Sequence, residues 1–137
     1  MNPVLALQEH GQAVWLDFLA RGFIAKGDLK KLISDIGLRG VTSNPAIFEK
    51  AIAGSADYED QLTELTKRRD LDAKAAYEIL AVRDIQDVAD ILKPIYESTG
   101  RRDGYVSLEV SPDLANDTHL RLLVCVQATN VQLLFWI

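Results

Sequence analysis

Only one cysteine, Cys125, occurs in the 137 residues, so no internal disulfide can form and a reducing compartment is the natural setting. Histidine is almost as scarce. His10 and His119 stand apart, and no pair of Cys or His falls at metal-ligand spacing, so no metal site is expected. The glycines form no phosphate-cradling loop, and no serine sits in a nucleophile elbow. Basic residues are outnumbered, 15 Lys and Arg against 20 Asp and Glu, for a net charge of −5. That balance argues against a nucleic-acid partner, which would need a clustered basic face. Long apolar runs are missing too. The nearest approach, residues 120–137, is interrupted by Gln127, Asn130 and Gln132, whereas a spanning helix wants about 20 mostly apolar residues. No membrane partner is expected. The N-terminus shows no basic region followed by an apolar block, so a secretory leader is not expected and a cytoplasmic location is.

What the chain does have is 48% hydrophobic residues, ample for the core of one domain. Asn2-Pro3, then Val4, Leu5 and Leu7, then Gly11, predict a short capped helix. Residues 13–19 predict a first strand, apolar on both faces except for Asp17, as suits a strand covered on both sides. From Asp28, the spacing of Leu29, Leu32, Ile33 and Ile36 predicts a helix that Gly37 ends. Residues 38–43 predict a second strand. Pro45 to Gly54 and Ser55 to Arg69 predict two helices, and Asp72 opens a long one reaching about Thr99. In that helix Ile79, Leu80, Ile85, Val88, Ala89, Leu92, Ile95 and Tyr96 mark a buried stripe, with Pro94 expected to loosen its last turns. A basic turn from Gly100 to Gly104 leads to a third strand at 105–110. The order β-α-β-α-α-α-β points to a parallel sheet with helical crossovers, its strands adjacent in sequence order.

Three strand ends carry polar groups. The stretch Gly40-Val41-Thr42-Ser43-Asn44-Pro45 is a strand stopping abruptly at a helix start, with Asn44 as cap and Pro45 in the first turn. In parallel α/β proteins chemistry is placed at the carboxyl ends of strands, so Thr42, Ser43 and Asn44 should line a site. Asp17 and Glu109 end the other two strands in the same way. Two carboxylates with an amide between them can divide acid and base work by environment. The amide can hold a substrate hydroxyl by donating and accepting. Each residue also has a plainer reading: Asp17 opening a loop, Asn44 capping a helix, Glu109 an exposed strand residue.

Val14-Trp15-Leu16-Asp17, Gly40-Val41-Thr42-Ser43-Asn44-Pro45-Ala46-Ile47-Phe48 and Val106-Ser107-Leu108-Glu109-Val110 together resemble the first three strand motifs of transaldolase. Asp84-Ile85-Gln86-Asp87-Val88-Ala89 and Leu114-Ala115-Asn116-Asp117-Thr118 continue the likeness. It covers residues 1–118, and Thr42-Ser43-Asn44-Pro45 favours transaldolase over another Schiff-base aldolase on the same barrel. The resemblance implies a (β/α)₈ barrel, here a partial TIM barrel of about its first three strands with their helices. It implies an enzyme of the pentose phosphate pathway that moves a dihydroxyacetone unit between sugar phosphates through a Schiff base, without metal or cofactor. By the same resemblance Asp17, Asn44 and Glu109 are catalytic and Thr42 and Ser43 bind substrate. Asp17 takes the proton of the donor's C4 hydroxyl, Glu109 moves protons through a water, and Asn44 orients hydroxyls of the three-carbon unit.

The likeness stops at the tail. The family's fourth strand carries the Schiff-base lysine, whereas residues 119–137 form an apolar tail outside the family pattern, with no lysine. Aligning Val124 to Thr129 with that strand would put Cys125 on the lysine. It would also leave 111–121 too short for a loop and a crossover helix. The chain is therefore expected to be inactive alone. The alternative is a non-catalytic truncated remnant, or a fragment that self-associates through exposed sheet edges, since a whole barrel of this type needs about 250 residues. The tail is expected not to pack as a native barrel element, and to join the sheet, if at all, only at an edge.

Overall fold

The computed structural model describes residues 2–109 together with the backbone of 133–136. Expectations for Val110, for the 114–118 motif, and for Cys125 and most of the tail fall outside these residues. Strand β1 (Trp15–Leu16) is followed by helices α2 (Arg21–Ala25) and α3 (Asp28–Ile36), then by β2 (Gly40–Val41). Helices α4 (Pro45–Ala53), α5 (Glu59–Thr66) and α6 (Ala73–Ser98) lead to β3 (Tyr105–Glu109), and β4 is Leu133–Trp136. Helix α1 (Pro3–Ala6) and a 3₁₀ turn at Leu7–His10 precede them.

The sheet is parallel throughout, in the order β1-β2-β3-β4. The three expected strands are thus neighbours in sequence order, as the first strands of a barrel are. A fourth joins them: Leu133-Leu134-Phe135-Trp136 is an apolar, β-prone segment and pairs with Val106–Glu109 at the edge of the sheet.

Punctuating residues act as their chemistry dictates. The side chains of Asn2, Asn44 and Asp72 accept from the backbone N–H groups of Val4, Ile47 and Ala75, satisfying donors that the first helical turn would orphan. Gly37 closes α3 at φ 68°, in the left-handed region glycine enters without steric cost. Helix α6 continues through Pro94 to Ser98.

The core lies between one face of the sheet and the helices. Val41, Val106 and Leu108 from the strands meet Ile85, Val88, Ala89 and Leu92 of α6, with Leu29 and Phe48 from α3 and α4. Each fully buried aliphatic side chain contributes about 1.5–3 kcal/mol relative to exposure. Of the predicted stripe on α6, Ile79 and Tyr96 are only half-buried, while Ala81 and Asp84 are buried.

Candidate active site

Period-two alternation sends Val41 and Val106 into the helical layer, so Thr42 and Ser107, one residue on, turn to the other face. There, at the carboxyl ends of β1, β2 and β3, a cavity of about 430 Å³ is lined by Trp15, Asp17, Thr42, Ser43, Asn44, Ser107 and Glu109. All five residues expected at the site by sequence therefore border one space. Asp17 and Asn44 also border a second cavity of about 480 Å³, whose walls include Phe18, Ile47 and Lys50. A third, of about 550 Å³, lined by Gln61, Ile79 and Arg83 among others, holds none of the five.

The polar groups are not equivalent. The Thr42 hydroxyl donates to Asp17 Oδ1 at 2.6 Å, and the Thr42 N–H donates to Leu16 O at 2.9 Å. This fixes the Asp17 carboxylate at the mouth and leaves its second oxygen to accept a proton. Ser43 is buried, and its hydroxyl donates to the Ser107 carbonyl at 2.6 Å while the Ser43 N–H donates to Ser107 Oγ at 3.2 Å. That hydroxyl ties β2 to β3. Asn44, which lines the cavity, accepts the Ile47 N–H at 3.0 Å, so the cap uses a lone pair of the amide oxygen and not the NH₂ donors. Glu109 ends β3, exposed at the rim.

Trp15 can stand in this mouth because Gly40 is beside it. A Cβ on Gly40 would fall 2.5 Å from atoms of the Trp15 indole. Sequence reasoning did not single out Trp15 or Ser107. Strand alternation from Asp17 and Glu109 would have found both. Tyr77 was missed as well. It packs against the core rather than lining the cavity, and burial, then the carboxylates of Glu109 and Glu78, push its phenol above the ordinary value.

Behind the site lies a buried charge cluster. The Arg21 guanidinium donates twice to Asp84 Oδ1, at 2.9 and 2.7 Å, and Tyr58 donates to Asp84 Oδ2 at 2.6 Å. The guanidinium also lies 4.3 Å from the centre of the Tyr58 ring. Burial pushes the Asp84 carboxyl above its ordinary value, against the pull of hydrogen bonds from Tyr58 and Arg21. Burial and the Asp84 hydrogen bond push the Tyr58 phenol up strongly. The cluster clamps the start of α2, just after Asp17, to α6.

Among the described residues no group of three or more His, Cys, Asp or Glu could hold a metal, and no helix is long and apolar enough to cross a membrane. The sequence matches the family described as Transaldolase/Fructose-6-phosphate aldolase over residues 14–122. It is 47% identical over 117 residues to Transaldolase 2 of Nostoc punctiforme, an alignment covering 85% of this chain and 30% of that relative. It is 46% identical over 118 residues to the transaldolase of Thiobacillus denitrificans, covering 86% of this chain and 33% of the relative. The chain thus spans about a third of the length of the curated relatives it matches. With motifs at three parallel strand ends, four-tenths to half of its residues shared with such relatives, and a family match running from Val14 into the tail, the chain belongs to the transaldolase/fructose-6-phosphate aldolase family.

Proposed function

We propose that this chain carries the proton-transfer part of a transaldolase site, which in a whole enzyme of the pentose phosphate pathway moves a dihydroxyacetone unit between sugar phosphates. The observation that carries this reading is the single cavity bordered by Asp17, Asn44 and Glu109 at the carboxyl ends of parallel strands. Asp17, held by Thr42, is the base for the donor's C4 hydroxyl as the carbon–carbon bond breaks. Glu109 exchanges protons through a water, and the Asn44 amide donates to a hydroxyl of the three-carbon unit. The chemistry needs an amine to form an iminium, which withdraws electrons where a ketone cannot and so stabilises the carbanion left by cleavage. Lys30, Lys31, Lys50, Lys74 and Lys93 lie in helices, while Lys26 and Lys67 follow helix ends. None stands on a strand of the mouth. The chain alone is therefore expected neither to transfer dihydroxyacetone nor to trap a donor on borohydride reduction. A ketose phosphate adduct located by mass spectrometry on any lysine would overturn this.

A second reading is a non-catalytic chain that associates with itself. It is favoured by the sheet, which has an unpaired edge at β1 and another at β4 among the described residues.

A further inference from the structure

Eight parallel strands close a barrel of this family's kind, and among the described residues this sheet has four, in the order β1-β2-β3-β4. Its two edges are complementary in direction. A twofold axis along the barrel axis would lay β4 of one copy parallel to β1 of a second, and β4 of the second parallel to β1 of the first. Eight strands result, and no edge remains. Neither edge carries the devices that usually block pairing. Val14-Trp15-Leu16 and Leu133-Leu134-Phe135-Trp136 contain no charge and no proline.

The backbone of β1 is already turned for this. The Arg39 N–H donates to Val14 O at 2.9 Å and the Thr42 N–H donates to Leu16 O at 2.9 Å, so Val14 and Leu16 direct their backbone groups toward β2. Trp15 lies between them, and strand alternation turns its N–H and C=O to the open side.

We propose that two copies of this chain close into one eight-stranded parallel barrel, β4 of each pairing with β1 of the other. This sharpens the self-association reading and does not depend on the transaldolase chemistry. Because all strands run the same way, both sets of Asp17, Asn44 and Glu109 open at one mouth. Association ends at two copies, since closure consumes both edges of each.

The test combines sedimentation equilibrium with amide hydrogen exchange on the 137-residue chain. The expected species has twice the 15.2 kDa chain mass and does not grow with concentration. In it the Trp15 amide and the alternate amides of 133–136 that face away from β3 exchange about 100-fold or more slower than an unstructured chain. The Arg39 and Thr42 amides, bonded within one copy, serve as protected references. A monomer, or a series of growing oligomers, would refute the closed pair. So would a dimer slowed at only one edge, which is an open two-copy sheet, or at neither, which is contact through another face. Failure of the borohydride prediction would leave these outcomes untouched.

Discussion

Among the described residues Asp84 is the one fully buried carboxylate, and two side chains depend on it at once. Asp84→Ala would leave the Arg21 guanidinium without its counter-charge and the Tyr58 hydroxyl without an acceptor. Breaking a buried pair from one side costs about 3–5 kcal/mol, so urea denaturation should show a loss of that size. Tyrosine sets the alkaline limit. Tyr58 and Tyr77 both have phenols raised above their ordinary 10.0. A group raised in the folded state contributes stability that is complete below the unfolded value and lost as pH climbs through the folded one. Urea midpoints should therefore fall as pH rises beyond about 10, where the unfolded chain ionises and the folded one resists. Tyr77→Phe keeps the edge-to-face contact with Phe48 and should flatten that fall, leaving the midpoint at pH 8 nearly unchanged.

At the scale of elements, Asn44 serves both the helix and the site, and the two uses can be separated. Asn44→Ala should cost about 1 kcal/mol through loss of the α4 cap. Asn44→Asp keeps an oxygen for the Ile47 N–H but loses the amide donor, so thermal melting should be preserved, while on the proposed reading any binding of a ketose phosphate seen by calorimetry should weaken. Capping residues also explain what the sequence makes legible. Asn2, Gly11, Gly37, Asn44, Pro45, Gly54 and Asp72 each stand where a helix begins or ends. Helix α2 escapes such a reading because Ala20 precedes it without a side-chain cap. The strands are shorter than their apolar runs, β1 being Trp15–Leu16 rather than 13–19, since pairing and not hydrophobicity decides where a ladder stops. Asp17, Asn44 and Glu109 were legible because strand ends in a parallel sheet share a side. The Arg21–Tyr58–Asp84 cluster was not, because residues 21, 58 and 84 are far apart in sequence and only the packing of α2 on α6 joins them.

At the scale of the molecule, the sheet joins a well-enclosed helical face to an open one. Val106 and Leu108 are sealed beneath α6, whereas Trp15 on the opposite side is only half-buried. If a second copy closes the barrel, folding and association are one equilibrium, and stability becomes a function of concentration. Raising the protein concentration 100-fold should then move the midpoint of a thermal melt upward by several degrees, by about 2.7 kcal/mol of mass action. A midpoint independent of concentration would show the single chain to be the stable unit.

The close approach of Trp15 to Gly40 has a practical corollary. An indole held against bare backbone, on the wall of the cavity that Asp17 and Glu109 border, has its emission tuned by whatever enters that cavity. With Trp136 replaced by phenylalanine, the chain keeps a single tryptophan, the one in its mouth, which can be excited selectively over the four tyrosines. Its emission maximum and quenching by acrylamide would report occupancy directly, without label or coupled assay.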